Sequence, residues 1–430
     1  MKQDFPATIR FILLWSMLVI PLSIATGSVV ALFLWLLEWA TISRFAAPWV
    51  LVFLPVAGIA IVWVYKEYGG ESAKGNNLII EHIHEPAAGR IPLRMAPLVL
   101  LATVVTHLFG GSAGREGTAV QIGGSIAGRI TEVFRFSAET RRMYLMCGVA
   151  AGFGAVFGTP IAGAIFAIEV ITVGRIRYQA LFPCLVASLL ADQACIFWNI
   201  EHTHYSIRSL YEISESSTTH TIKLSWVFLA GACGIGFGLV ARLFAISLRF
   251  FENQFNHQIT TWWLRPVVGA LLVLGISLLL GTTDYLGLGV RSATAEGVSI
   301  LSSFEGNVGV LSWFWKLLLT AITLSCGFKG GEVTPLFFIG ATLGAAFANL
   351  LGMPPDVFAA IGFVAVFAGA TNTPIACTIM GVELFGGESI VYMAVGCFVA
   401  FLVSGRKGIY HSQLSGDKKI ESEKTSSLKT

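Results

Sequence analysis

Charge is what this 430-residue chain has least of: Asp, Glu, Lys and Arg together make up 12% of it, about half the share of an ordinary soluble globular protein. So few charged side chains cannot cover the apolar surface of a chain this long for water, which excludes a single soluble core. Chemical signatures are missing too. There is no HExxH or diacidic metal motif, which argues against an intramembrane metalloenzyme, and no GxxxxGK[ST] to bind ATP for a pump. Seven cysteines (Cys147, Cys184, Cys195, Cys233, Cys326, Cys377, Cys397) are an odd number without a CxxC pair, so they read as packing residues, not as disulfides or a zinc site. No cofactor and no nucleic-acid partner is implied.

What is present is apolar residue in long runs. Hydrophobic types reach 55% and mean hydropathy is +0.75, so the lipid bilayer is the expected solvent. Runs able to cross it include Phe11 to Ala40, Trp49 to Tyr65, Pro97 to Phe109, Leu181 to Trp198, Trp226 to Ile246, Val267 to Leu280, Val310 to Cys326 and Ile390 to Ser404. Others, such as Val149 to Val173 and Leu336 to Leu351, are rich in Gly, Ala and Pro and read as short, tilted or broken helices, the mixture of a transporter. The fold class is therefore an all-α polytopic membrane protein. The first run follows only Lys2 and Arg10 and lacks a small-residue cleavage site, so it reads as retained. A hydrophilic tail from Arg406 to Thr430 holds six basic and three acidic residues. With Arg135, Arg141, Arg142, Arg175 and Arg177 in loops, the positive-inside rule places these segments, and by expectation both termini, in the cytoplasm of a cell inner membrane.

Sliding the chain against itself reveals two halves. An offset of 216 carries Gly114, Glu116, Thr118, Gly124 and Gly128 onto Gly330, Glu332, Thr334, Gly340 and Gly344; an offset of 214 carries Thr159, Pro160, Ile161, Ala162 and Glu169 onto Thr373, Pro374, Ile375, Ala376 and Glu383. A weaker echo at 211 pairs Gly27 and Phe33 with Gly238 and Phe244. The expected units are residues 1–215, 216–405 and the tail 406–430, with a seam near Ile213 to Thr221. Repeats of this kind place substrate between the halves, where broken helices point their ends at an ion. GGSAGREGT (Gly110 to Thr118), GFKGGEVTP (Gly327 to Pro335), FGTP (Phe157 to Pro160) and NTP (Asn372 to Pro374) all offer unshielded backbone N–H groups at a helix start, which suit a dehydrated anion. The alternative is that small residues only let helices approach, as GxxxG pairs Gly124/Gly128 and Gly340/Gly344 do.

An ionised carboxylate is itself an anion. Glu116 can compete with a transported anion for the same N–H groups, and protonating it would release the site, tying anion to proton movement. Its alternatives are a bridge to Arg115, disfavoured because adjacent helical residues point apart, or a cap on a helix start. Glu81-His82-Ile83-His84-Glu85 and His202-Thr203-His204 have ligand chemistry but no third element at metal spacing, so they read as exposed polar loops. His107 either orients the Gly-rich turn or packs as a bonded histidine. Glu169 and Glu383 read as structural helix-end acids, and Lys329 either offsets Glu332 or snorkels.

Gly114-Arg115-Glu116-Gly117, Gly330-Gly331-Glu332-Val333-Thr334-Pro335 and the late Tyr410 resemble the CLC family of anion channels and proton-coupled antiporters, over nearly the whole membrane part. The departures point further: GREGT stands where the family has GREGP, Gly331-Glu332-Val333-Thr334-Pro335 where it has GxFxP, and Gly75-Asn76-Asn77-Leu78-Ile79 where it has GSGIP. Glu332 and Thr334 resemble the fluoride-exporting branch. That resemblance implies a CLC-type fold of two inverted-topology repeats and a homodimer in a bacterial plasma membrane. It implies fluoride/proton antiport, with gating and proton coupling at Glu116 and Glu332. Anion contact falls on Asn76, Gly114, Arg115, Gly117, Gly331, Val333, Thr334 and Tyr410. The alternative is a chloride channel or chloride/proton antiporter of the same fold. Val170 stands where chloride antiporters carry an inner proton-transfer Glu, so protons would need another route. For a small, strongly hydrated anion, the Asn76 amide and the Thr334 and Tyr410 hydroxyls are suitable donors.

Overall fold

The computed structural model describes residues 5–86, 89–209 and 223–415; the seam from Ile213 to Thr221 and the tail beyond 415 lie outside them. Among the described residues are sixteen α-helices, falling into two series of eight. The first series is α1 (Phe5–Ala46), α2 (Leu54–Val64), α3 (Asn76–His84), α4 (Met95–Leu108), α5 (Glu116–Val133), α6 (Ala138–Phe157), α7 (Pro160–Glu169) and α8 (Leu181–Phe197). The second is α9 (Leu224–Gln258), α10 (Leu264–Leu280), α11 (Ile300–Phe304), α12 (Ser312–Ser325), α13 (Val333–Leu351), α14 (Pro355–Thr371), α15 (Pro374–Phe385) and α16 (Ile390–Ser404). Six helical stretches are long and apolar enough to cross a membrane. Others cannot cross alone: α7 has 10 residues and α15 has 12, against the roughly 20 a span needs. Proline opens both α7 and α15 at their first turn, where its missing N–H costs nothing.

The two series meet through paired contacts. Gly114 and Gly331 form an isolated antiparallel bridge, each donating its N–H to the other's carbonyl at 2.6 and 2.7 Å. At the far ends of the halves, the N–H groups of Ile375 and Ala376 donate to the Glu169 carboxylate at 3.1 and 2.8 Å, while those of Ile161 and Ala162 donate to Glu383 at 2.9 and 2.7 Å. Residue and partner exchange roles, the signature of a two-fold axis between the repeats. The acids cap helix N-termini of the opposite half, where the partial positive charge of aligned peptides favours them. This corrects the reading of FGTP and NTP as anion-facing turns: each is already closed by a carboxylate.

The bridge also corrects the repeat register. Gly114 pairs with Gly331, 217 residues away, and α4 maps onto α12 by the same 217 with 14 residues in each. The offset of 216 arose because both turns carry adjacent glycines, so a slip by one residue still matches Gly to Gly. Glu116 therefore corresponds to Val333 and Glu332 to Arg115. Helix contacts agree. A Cβ on Gly123 would strike the carbonyl of Gly148, and one on Gly340 that of Gly362, so Gly123 is the counterpart of Gly340. Gly124 and Gly128 instead admit the side chains of Ile79 and Ile91.

The core runs through α6 and α14, in which every residue from Tyr144 to Phe157 and from Asp356 to Thr371 is buried, as expected for helices apolar on all faces. All seven cysteines are buried and free. One end of the molecule is basic. The Arg142 guanidinium holds the carbonyls of Ile83 and His84, and Arg141 those of Pro86 and Gly89; Arg142 and Arg177 line one cavity there. The same end holds a short parallel pair of β1 (Thr172–Val173) and β2 (Leu414–Ser415), so the chain after Tyr410 leaves beside Arg175. From there α8 runs 17 residues, about 25 Å at 1.5 Å per residue, carrying the loop after it to the opposite end.

Exchanging either capping acid for its amide keeps shape but removes charge. Glu169→Gln and Glu383→Gln should each cost ~1–2 kcal/mol, lowering by several degrees the temperature at which the detergent-solubilised protein loses its gel-filtration peak. Variants as heat-resistant as the parent would show that these caps do not hold the halves together.

Candidate functional site

Each bridged turn leads from one helix to the start of another. Gly110 (φ +88°) and Gly327 (φ +114°), again 217 apart, adopt backbone conformations that side chains disfavour, and each chain then doubles back to open α5 or α13. His107 braces the first turn from beneath: its Nδ1 lies 2.7 Å from the carbonyl of Thr103 and its Nε2 2.9 Å from that of Ala113. The histidine thus orients the Gly-rich turn. The Ser112 hydroxyl adds a bond to the Tyr285 carbonyl at 2.8 Å.

Glu116 is 1% exposed and its carboxylate reaches across the interface to the start of α13. The Thr334 backbone N–H donates to Oε2 at 2.9 Å, and the Thr334 hydroxyl lies 2.7 and 2.6 Å from Oε1 and Oε2. Arg115 contributes its own N–H to Oε2 at 3.1 Å and its guanidinium Nε 3.6 Å from Oε1. The contact with Arg115, disfavoured on helical geometry, forms because Arg115 precedes the helix with φ −121° and ψ −22°. A carboxylate oxygen thus occupies the place a small anion would take at a helix N-terminus.

On the other side of the bridge the remaining expected residues converge. A Cβ on Gly331 would lie 2.8, 3.2 and 3.3 Å from the amide nitrogens of Gly117, Glu116 and Arg115, so the glycine keeps three consecutive N–H groups open. A Cβ on Gly114 would meet the Thr334 amide nitrogen at 2.9 Å, and one on Gly117 would meet Asn76 Nδ2 at 2.9 Å and Glu332 Oε2 at 3.4 Å. Asn76, the first residue of α3, therefore stands against this turn. Val333, buried, opens α13 directly after Glu332. Both Asn76 Oδ1 and Glu332 Oε2 are buried without a hydrogen-bond partner, an expensive arrangement that calls for a proton or a donor. Tyr410 is buried within electrostatic reach of both acids.

Two cavities approach the site from different sides. One of about 580 Å³ holds Arg44, Arg115, Arg291 and His202 and narrows to a chamber of about 20 Å³ against Glu116, Thr334 and Phe337. The other, about 520 Å³, ends at Glu332 and is lined by Arg249, Lys329 and His411 near the basic end. Lys329 lies 4.6 Å over the ring of Tyr65, sharing that cavity with Glu332.

Some functional candidates escaped the sequence reading. Lys316 is fully buried; its Nζ donates to the carbonyls of Tyr285 and Gly287 at 3.1 and 2.7 Å and sits 5.4 Å over Phe338. Neither it nor buried Arg44 has an acidic partner among the described residues; Arg44 lines the cavity on the Glu116 side and lends it positive potential. An ionisable residue inside an apolar run was the available signal. The expectation of exposed loops fails at the first histidine motif, while the second is a loop with His204 exposed and only His202 drawn inward. Residues 81–84 belong to α3 with His82 buried against the Leu78 carbonyl, and His202 faces Asp192. Val170 is buried, and its carbonyl accepts from Gln413 at 2.8 Å.

The model of the voltage-gated chloride channel family matches residues 57–405. This chain belongs to the CLC family. A chloride/fluoride channel protein of Pseudomonas syringae pv. tomato is 46% identical over 415 residues, covering 95% of this CLC chain and 88% of that protein. An H(+)/Cl(-) exchange transporter of Salmonella typhi is 26% identical over 391 residues, covering 85% and 79%. A crystal structure of a CLC-type fluoride/proton antiporter superposes with a TM-score of 0.86 at 32% identity, covering 97% of this chain and all of that one. The two-repeat CLC fold expected from the sequence is the fold observed.

Because Gly331 keeps three amides open, Gly331→Ala should force the CLC turns apart. The substitution is expected to cost ~1–3 kcal/mol of stability and to weaken halide binding measured by calorimetry about tenfold. Gly275→Ala, on α10 with open space around it, should change neither.

Proposed function

We propose that this protein exports fluoride in exchange for protons across a bacterial plasma membrane, as a homodimer with both termini in the cytoplasm. One observation carries the reading: the Glu116 carboxylate sits on the amide and hydroxyl of Thr334, as an anion would. Ionised, it excludes a halide from those donors. Protonated, it loses the charge that holds it there, and the donors become free for fluoride. Anion entry and proton uptake are thereby alternatives at one position, which is what exchange requires.

Fluoride is favoured over chloride by donor density. A small, strongly hydrated ion needs several short hydrogen bonds to leave water, and the site offers the N–H groups of Arg115, Glu116, Gly117 and Val333 with the polar groups of Asn76, Thr334 and Tyr410. Gly114 and Gly331 contribute by leaving those amides uncovered. Fluoride is also basic enough to accept a hydrogen bond from a carboxylic acid, so a protonated Glu332, with its partnerless Oε2, can hand a proton and an anion through the same contact. That supplies a route on the Glu332 side, where Val170 offers no acid. The 46% identity to a chloride/fluoride channel protein and the likeness to a fluoride/proton antiporter support the assignment. The clustering of Arg135, Arg141, Arg142, Arg175 and Arg177 with the chain's exit at β2 supports a cytoplasmic C-terminus. Division into repeats 1–215 and 216–405 with a tail 406–430 goes with that reading.

Purified protein in liposomes, followed with fluoride- and chloride-selective electrodes, tests it. Fluoride should leave at least about tenfold faster than chloride, a difference of ~1.4 kcal/mol in barrier, and a fluoride gradient should drive protons uphill. Glu116→Gln should abolish the uphill proton movement. Chloride moving as fast as fluoride would favour a chloride transporter of this fold, and fluoride moving without protons would make the protein a channel.

A further inference from the structure

The cavity on the Glu116 side does not open on that acid directly. Its wide part and its narrow chamber share His202, which stands at the neck between them. His202 is held there by construction. The loop that carries it is tied at one end by the Trp198 indole N–H to Ser28 at 3.0 Å and at the other by the Ser209 N–H to Asp356 at 2.8 Å. In between, the ring of Tyr205 lies on Phe363, Phe304 and Phe385 with centroids 5.5, 5.5 and 5.7 Å away. Gly158 makes room for the imidazole: it ends α6 with φ +70°, and a Cβ there would lie 2.6 Å from His202 Cδ2. The glycine of the FGTP motif thus seats a histidine rather than an anion.

The imidazole faces a buried acid from α8. His202 Nε2 and Asp192 Oδ1 are 3.7 Å apart, with side chains 16% and 9% exposed, and neither atom has a hydrogen-bond partner. That spacing is too long for a hydrogen bond and suited to an ion pair formed when the ring gains a proton. The chamber between His202 and Glu116, about 20 Å³, has room for about one water molecule. Other charges act on the ring: Arg115 from the turn and His204 on its own loop, with Glu201 and Arg291 on the wall of the wide cavity. Burial, then Arg115 and His204, hold the His202 imidazole down at about 4, so it rests neutral and carries a proton only in passage.

We propose that the His202–Asp192 pair is the station through which protons pass between the wide cavity and Glu116. A proton from water in the cavity adds to the ring nitrogen, giving an imidazolium opposite the Asp192 carboxylate. The N–H bond then breaks as an O–H bond forms on Glu116 across the chamber. The imidazole returns neutral, Asp192 stays ionised, and the neutral Glu116 leaves Thr334 free. In this sequence His202 is the relay and Asp192 a positioning residue.

The proposal rests on fluoride/proton antiport, and one preparation separates the two. Wild-type liposomes carrying a fluoride gradient should drive protons uphill, at a rate that rises as pH on the His202 side falls from about 7 to about 5. His202→Gln should slow coupled transport about tenfold and flatten that rise. Asp192→Asn, nearly the same shape, should shift the rise to lower pH by about one unit, because the imidazolium loses its counter-charge. This variant also gives the answer should His202→Gln not fold. Wild type that moves no protons overturns antiport and the relay with it. Wild type that does, alongside either folded variant with an unchanged rate and pH profile, overturns the relay alone.

Discussion

Two hydrogen bonds between Gly114 and Gly331 set the distance between the halves, and the site inherits its geometry from them. With each residue donating to the other's carbonyl, the two turns are locked back to back, and the helices that follow start from one small region. The closeness is possible only without side chains: a Cβ on either glycine would fall about 3 Å from an amide nitrogen of the opposite turn. The amides of Arg115, Glu116, Gly117 and Thr334 are then aimed inward, unshielded and away from lipid. A bilayer interior tolerates such backbone only where something satisfies it. Here the Glu116 carboxylate takes the N–H groups of Arg115 and Thr334, as an anion at a helix N-terminus does.

Four helix starts meet at the contact between halves, and their different treatment separates structure from transport. The starts of α7 and α15 are closed by Glu383 and Glu169, each holding two amides of the opposite half. The start of α13 is closed by Glu116, which holds the amide and hydroxyl of Thr334 together with the amide and guanidinium of Arg115, and whose cavity leads outward. A carboxylate fixed by two amides of a neighbouring helix behaves as part of the scaffold. One that shares a chamber with a titratable neighbour can be displaced. The same chemistry, an acid on a helix N-terminus, is thus met in two settings, one enclosed between the halves and one beside a cavity, and the gating role we propose for Glu116 belongs to the second.

How much of this was legible follows from the range of each interaction. Apolar runs gave the spans, since lipid exposure depends on local composition alone. The two Gly-rich turns were legible because a repeat doubles the signal, and Asn76 was found through a five-residue match. The register was not: adjacent glycines at 330 and 331 make a one-residue slip invisible, and only the bridge and the Gly123 to Gly148 contact fix it. Pairings across more than 200 residues, such as Glu383 with Ile161, left no local trace, so FGTP and NTP looked open. Helical geometry misjudged Arg115 because it lies outside the helix, and His202 looked solvated because Asp192, in the preceding helix, faces it only once the loop turns back.

The corrected register makes the site unlike itself under its own two-fold axis. In place of Glu116 the second half has Val333, and in place of Glu332 the first half has Arg115. A symmetric site would present the same chemistry to both sides of the membrane. Here one side presents Glu116 with Arg115, and the other presents Glu332 with Lys329 in its cavity. The repeat supplies two equivalent turns, so that amides converge from both directions, while one-residue differences supply polarity. Moving two ions in opposite directions needs both: a shared position that either can hold, and two faces that treat it differently. The backbone provides the first and the placement of acids one residue apart provides the second.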